Sequence, residues 1–303
     1  MKIKRREFIY KSALGVGGLV LGASLSSSAK PDTNGFDPYE IVPLGKTGLK
    51  VSRLCMGTGS NGFERSSDQT RLGRKKFESL LRGAYDRGIR MFDLADIYGS
   101  HSYLIPALKD IPRKDYVIVT KIWYGESGLP EDERPDADIV IPRFLKEIQT
   151  DYLDLVLLHC LFSGNWPEKM RRQMEILSKL KEKGIIRALG VSCHSIPALE
   201  AAANEPWVES VHARINPYRA AMDGPPMQVV SALKKLHAVG KGVVGMKIIG
   251  NGTFSRSDEM RNTSVRFALH LGCVDVLNVG FKNVDQIDDL AARVRNVPRP
   301  VIV

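Results

Sequence analysis

Only four cysteines occur in the 303-residue chain, and none stands in a Cys-x-x-Cys pair. Cys55, Cys160, Cys193 and Cys273 each lie in an apolar, strand-like run, so metal-ligand spacing is absent and no metal site is expected. Buried free thiols are the expected state, with a Cys160–Cys193 bridge the alternative if the two residues end on neighbouring strands. No basic run is interleaved with aromatics, which argues against nucleic acid as a partner although 44 basic residues outnumber 34 acidic ones and the net charge is +10. No dinucleotide-type glycine fingerprint opens a first helix. Gly57-Thr58-Gly59-Ser60-Asn61-Gly62 has the glycines, but Phe63-Glu64-Arg65-Ser66-Ser67 follows and helical periodicity begins only near Arg74. A doubly wound sheet is therefore disfavoured. Internal repeats are missing, and interface signals are few enough that a monomer is expected.

What is present begins with an address. Residues 1–29 run from basic Lys2, Lys4, Arg5 and Arg6 through an apolar, glycine-rich stretch at Ser12–Leu25 to Ser26-Ser27-Ser28-Ala29. This is the layout of an export signal, and Arg5-Arg6 before Phe8-Ile9 resembles the twin-arginine type, which implies the twin-arginine export machinery as a partner and a periplasmic or exported destination. The apolar stretch is short and glycine-broken against the ~30 Å of a bilayer core, so membrane attachment is expected only if the signal is not cleaved. No cysteine follows it to take a lipid. Residues 30–39 are polar and rich in Pro and Gly, and read as a linker; residues 40–303 read as one domain.

That domain opens with a hairpin, Ile41–Leu44 and Leu49–Val51 about the turn Gly45-Lys46-Thr47-Gly48. Eight apolar runs follow: Arg53–Gly57, Met91–Ala95, Tyr116–Lys121, Leu153–His159, Ala188–Ser192, Val211–Asn216, Val243–Ile249 and Val274–Gly280. Amphipathic stretches such as Lys75–Arg87 and Glu168–Lys183 separate them, several ending in Arg-Gly or Lys-Gly as helices do. Eight strand–helix units in about 260 residues predict an α/β fold of the (β/α)8 TIM-barrel type with the hairpin as an N-terminal plug.

In such a barrel chemistry gathers at the C-terminal ends of strands. Three consecutive ends carry polar groups in apolar surroundings: Asp93 and, five residues on, Tyr98; Lys121; and His159. A tyrosine, with its unperturbed pKa near ~10, is a poor acid at neutral pH unless a cation lies near its oxygen. Lys121 supplies that cation, Asp93 orients it, and His159 adds a hydrogen bond to a substrate carbonyl. Tyr98 is then placed to act as a general acid on a developing alkoxide. Lys121 as a Schiff-base amine is the rival chemistry, disfavoured by the neighbouring Asp93.

At these residues the chain resembles the aldo-keto reductase family over residues 40–303. Phe92-Asp93-Leu94-Ala95-Asp96-Ile97-Tyr98-Gly99, Val119-Thr120-Lys121 and Leu157-Leu158-His159 are similar to that family's second, third and fourth strand ends. The resemblance implies hydride transfer between a nicotinamide cofactor and a small carbonyl compound, with NADP favoured and NAD possible, and with Tyr98 as the acid. Gly190-Val191-Ser192-Cys193-His194 is similar to the segment whose Ser and Asn hold the nicotinamide carboxamide, with Cys193 in place of the Asn. Asn216 is expected to replace the usual Gln, and Thr58 and Lys247 to line the cofactor. Gly280, Lys282, Asn283 and Gln286 resemble the stretch that binds the adenosine phosphate end, while Leu290 stands where an Asn is usual. The chain stops at Val303 without the long C-terminal loop of many relatives, so the pocket is expected to be open, with Trp123, Tyr124, Phe162 and Trp166 along it. A nicotinamide-binding barrel that serves as a weakly catalytic or regulatory subunit is the alternative.

Overall fold

The computed structural model describes residues 35–300; the signal at 1–29, and residues 30–34 of the expected linker, lie outside them. The hairpin forms from β1 (Ile41–Pro43) and β2 (Lys50–Ser52), paired antiparallel with Val42 opposite Val51. Its turn needs left-handed backbone at Gly45 and Gly48, where φ is +50° and +75°. Leu44, Leu49 and Val51 are buried in one apolar cluster with Cys55, Met91 and Val117, so the hairpin plugs one end of the barrel.

All eight expected barrel strands are present: β3 (Leu54–Gly57), β4 (Met91–Asp93), β5 (Val117–Ile122), β6 (Leu153–Leu161), β7 (Ile186–Cys193), β8 (Ser210–Arg214), β9 (Gly242–Met246) and β10 (Val276–Gly280). Every neighbouring pair is parallel, and β10 pairs with both β9 and β3, closing the ring. The helices are α1 (Arg74–Asp86), α2 (Leu104–Ala107), α3 (Ala137–Ile148), α4 (Trp166–Lys169), α5 (Arg171–Glu182), α6 (Ile196–Asn204), α7 (Pro226–Ala238), α8 (Asp258–His270) and α9 (Val284–Arg295). In α1 the buried residues Phe77, Leu80, Leu81 and Ala84 recur at helical spacing and face the barrel.

Successive strand residues point to opposite faces, so each strand feeds two cores. Cys55, Met91, Val119, Leu157, Ala188, Val244 and Val276 fill the barrel interior. Their neighbours, among them Leu54, Phe92, Ile118, Leu158, Leu189 and Leu277, pack outward under the helices. This alternation decides which residue at each strand end enters the mouth.

Strand ends shift by one to three residues from the sequence reading, and three differences are larger or bear on the site. The stretch expected as one helix over Glu168–Lys183 is two, broken at Met170. β9 stops at Met246 because Lys247 adopts a left-handed backbone, φ +59°. Residues 35–39, read as the end of a linker, are part of the barrel: Phe36 is buried, its N–H donates to the Val297 carbonyl at 3.1 Å, and Leu54 N–H donates to the Pro38 carbonyl at 2.9 Å. An apolar ring in a polar stretch finds partners only in the folded chain; Arg53 and Arg299 lie over it at 5.2 and 4.9 Å.

Candidate active site

The interior positions one step beyond the apolar layer are Asp93, Lys121, His159, Ser192, His212 and Asn278, all buried. Lys121 is fully buried, ion-paired with Asp93, and donates to the Leu94 carbonyl at 2.9 Å. Asn278 Nδ2 donates to the second Asp93 oxygen at 2.5 Å. A buried ammonium and carboxylate are tolerable only when paired and hydrogen-bonded in this manner. Tyr98 reaches in from the loop after β4. Its hydroxyl lies 3.2 Å from His159 Nε2, the two rings meet edge to face, and Lys121 Nζ is 4.8 Å from the Tyr98 ring centre.

The chemistry of these groups follows from burial. Desolvation pushes the Tyr98 phenol well above its ordinary value, the Asp93 and Cys160 charges push the same way, and Arg214 opposes them. Tyr98 therefore holds its proton at neutral pH. Burial, reinforced by the Lys121 cation, holds His159 well below its ordinary value and so neutral. A protonated phenol and a neutral imidazole thus share one small space, and one substrate oxygen can meet both.

The glycines of the 57–62 segment gain a role here that the sequence did not show. A Cβ on Gly59 would lie 2.2 Å from Tyr98 Cζ, and one on Gly62 would lie 2.4 Å from Tyr98 Cδ1. The Tyr98 ring is clasped between two positions where only hydrogen fits. The same loop lines a cavity of about 700 Å3 that runs from Asp93 and Tyr98 past Lys247 and Gly280 to Lys282, Asn283 and Gln286.

That cavity fits a dinucleotide. Gly280 leaves room that a Cβ would close against Ser60 Oγ at 2.2 Å, so backbone can approach a ligand. Asn283 caps α9 by accepting from Gln286 N–H at 3.0 Å, and Gln286 Oε1 accepts from Lys282 N–H at 2.8 Å, leaving the helix start facing the cavity as an anion site. Lys282 Nζ sits 3.0 Å from an Asp68 oxygen, so this cation is partly neutralised. Leu290 also lines the cavity. Lys247 Nζ donates to Asn251 Oδ1 at 2.9 Å across the loop after β9.

Other expected residues are placed differently. Thr58 is buried and its hydroxyl donates to the Asp93 carbonyl at 2.7 Å, so it braces β4 and does not line the cavity. Cys193 has the outward parity of β7; its thiol packs against the Ala198 carbonyl at 3.5 Å and belongs to the layer beneath α6. All four cysteines are free. Ser192 faces inward, where its Oγ accepts from Cys160 N–H at 2.8 Å, and the hydroxyl proton remains available. Asn216 is fully buried and engaged with backbone: its Nδ2 donates to the Ala220 and Lys247 carbonyls and its Oδ1 accepts from Tyr218 and Ala220. It shapes the loop after β8, with its amide oxygen and nitrogen both engaged by backbone there. Trp166 is 2% exposed with its indole donating to the Ala198 carbonyl, so it is core and not pocket wall. Tyr124 hydrogen-bonds Gln173 on α5. Trp123 lies edge-on to His159 at 5.2 Å, and Phe162, 63% exposed, leans on His194 at 5.5 Å.

His212 was not singled out from the sequence. It stands opposite Ser192 in the β7–β8 register, fully buried, 3.8 Å from Asp93, with neither ring nitrogen hydrogen-bonded among the described residues. The signal was there: His212 and Arg214 share the interior parity of β8, while the alternate residues Val211 and Ala213 are apolar.

Burial brings His212 down to about 4 and His194 to about 3. Both lie below the ordinary ~6.5 of the unfolded chain. The unfolded state therefore binds more protons in this window, and stability present above pH ~6.5 is lost as pH falls towards 4. Each histidine contributes a slope of at most about 1.4 kcal/mol per pH unit there. Melting temperature followed from pH 7.5 to 4.5 should fall progressively below about pH 6.5, and His212→Gln should flatten that fall.

Comparison with known proteins agrees with this fold. A model of the aldo/keto reductase family matches residues 53–293. Among curated relatives, aldo-keto reductase YhdN of Bacillus subtilis is 29% identical over 174 residues, 53% of this chain and 49% of that protein. L-Galactose dehydrogenase of Arabidopsis thaliana is 30% identical over 161 residues, 50% of this chain and 48% of the relative. The chain thus spans about half the length of the curated relatives it matches. Among solved structures, the holo form of aldo-keto reductase AKR11C1 from Bacillus halodurans shares the fold at a TM-score of 0.69 and 20% identity, covering 86% of this chain and 93% of that one. A putative aldo-keto reductase from Pseudomonas aeruginosa aligns at a TM-score of 0.68 and 24% identity, over 86% and 97% of the two chains. With the family model matched across nearly the whole closed barrel, this chain belongs to the aldo/keto reductase family.

Proposed function

We propose that the protein is a carbonyl reductase that uses a reduced nicotinamide cofactor, with NADPH favoured over NADH, and that Tyr98 is its general acid. The observation that supports this most directly is the Tyr98 hydroxyl 3.2 Å from His159 Nε2, beside the buried Lys121–Asp93 pair, at the end of a cavity of dinucleotide size. When bound, the cofactor supplies the hydride that reduces the carbonyl carbon. Its phosphates would be held by the start of α9 and Lys282, and its nicotinamide end would lie beside Asp93 and Tyr98 at the inner end of the cavity, next to the strand end that carries the inward-facing Ser192. Lys282 gives the preference for a 2′-phosphate, on condition that it leaves Asp68.

The chain's own residues then handle the oxygen. Tyr98 O–H and His159 converge on the substrate oxygen, and the phenol gives its proton as negative charge grows there. Lys121, fixed by Asp93 and the Leu94 carbonyl, lowers the cost of the phenolate left behind. The same ion pair withholds the Lys121 amine from Schiff-base chemistry. Oxidation of NADPH, followed in the presence of aldehydes, quinones and keto-sugars, tests the reading. Cofactor binding without turnover on any carbonyl would instead favour a regulatory subunit.

Residues 1–29 support export through the twin-arginine machinery as a folded, cofactor-loaded monomer. Arg5→Lys with Arg6→Lys should leave the protein in the cytoplasm, read by fractionation; unchanged periplasmic yield would remove that assignment.

A further inference from the structure

Beside the acid lies a second group of charges that the reduction step does not use. Arg214, at the end of β8 on its interior parity, has Asp223 as its ion-pair partner at 3.2 Å. The contact lacks hydrogen-bond alignment, and Arg214 Nε and both Asp223 oxygens are buried without hydrogen-bond partners among the described residues. Asp223 is enclosed, its side chain 1% exposed, whereas the Arg214 side chain is 26% exposed. The carboxylate therefore lies on the buried side of the guanidinium, part of which stays exposed.

The neighbours show what Arg214 faces. Its register partner on β9 is Met246, one residue before Lys247. Its place at the end of β8 beside Met246 sets its charge near the strand ends, where it pulls the pKa of Tyr98, Cys160, His194 and Lys247 down. Cys160 Sγ and His194 Nε2 lie 3.3 Å apart on the same rim. With Lys121 paired to Asp93, and with His159 and His194 held neutral, two further cations, Arg214 and Lys247, meet one buried carboxylate. The mouth carries surplus positive charge next to the proton donor. Arg214 does not line the cavity that fits the dinucleotide, although Lys247 does.

We propose that Arg214, backed by Asp223 and flanked by Lys247, anchors a carboxylate on the carbonyl substrate, so that the preferred substrates are oxo or aldehyde acids. This rests on the carbonyl-reductase reading and narrows it. A planar guanidinium with free N–H groups matches a carboxylate bidentately, and a partly desolvated setting strengthens the pairing. Neutral aldehydes can give that guanidinium at most a hydrogen bond to an uncharged oxygen, without the charge pairing. Because Tyr98 stands in the same charge cluster, an anchored acid would present its carbonyl to the phenol in a fixed orientation.

Matched substrate pairs test it: succinic semialdehyde against butanal, and D-glucuronate against D-glucose, with NADPH in excess. The wild-type protein should show kcat/KM at least about tenfold higher for the acid of each pair. Arg214→Met should collapse that ratio towards one, mostly through KM, and Arg214→Lys should restore part of it. NADPH affinity, read by quenching of intrinsic fluorescence, should change little in either variant. A wild-type ratio near or below one overturns the proposal while leaving the reductase reading intact. So does an Arg214→Met protein that keeps the ratio but loses NADPH affinity, which would assign the guanidinium to the cofactor. No turnover of any carbonyl by the wild type removes the reductase reading, and this inference with it.

Discussion

Tyr98→Phe should retain NADPH binding and lose between about 100-fold and 10,000-fold in kcat, with KM for the carbonyl changed far less. The substitution removes one oxygen from a ring whose packing between Gly59, Gly62 and His159 is otherwise kept. Folding should be unaffected, because the hydroxyl's one hydrogen-bond partner among the described residues is His159 Nε2 at 3.2 Å. His159 then remains as the sole donor near the substrate oxygen, and a neutral imidazole is a weaker acid partner than the phenol backed by Lys121. Retention of more than a tenth of the wild-type kcat would place proton transfer on another group.

The second large effect concerns a residue with no functional atom. Gly59→Ala should lower kcat by roughly 10-fold to 100-fold while the melting temperature moves little, and Gly59→Val should be worse. A methyl at 59 would stand 2.2–2.5 Å from three ring carbons of Tyr98. Either the loop or the ring must shift, and the loop also lines the cofactor cavity. A ring moved by about 1 Å leaves the phenol misaligned against His159 and the substrate oxygen, which is where a displacement of that size is most costly. The signature that separates this from general damage is a fall in kcat greater than any rise in KM, with NADPH affinity within a few-fold of wild type. Wild-type kcat in Gly59→Ala would show that the clasp is not needed.

These two residues show what was legible in advance. Tyr98, Asp93, Lys121 and His159 could be found because a polar group at the end of an apolar strand is costly without a purpose, and four of them fell on three consecutive ends. Gly59 was noticed for the wrong reason. Its spacing with Gly57 and Gly62 suggested a phosphate loop that failed for want of a helix, whereas the requirement for glycine comes from a ring 39 residues away in the chain (98 − 59). The family resemblance puts Cys193 and Asn216 at the expected site, and nearness to His159 in the sequence puts Trp166 there. Cys193 lies one step off the interior parity, Trp166 turns into the layer under α6, and Asn216 folds back on its own loop. His212 and Arg214 were overlooked although they have the interior parity.

The eightfold alternation of strand and helix, the hairpin ahead of it, and the strand-end group of Asp93, Tyr98, Lys121 and His159 were legible in the sequence, because hydrophobic periodicity and polar groups in apolar runs are local properties of the chain. Tertiary structure alone decided which face each strand-end residue shows, which glycines clasp Tyr98, and how Arg214 and Lys247 come to share the mouth with one buried carboxylate. Those facts depend on register around a closed ring and on approach between segments far apart in sequence. No local pattern encodes either.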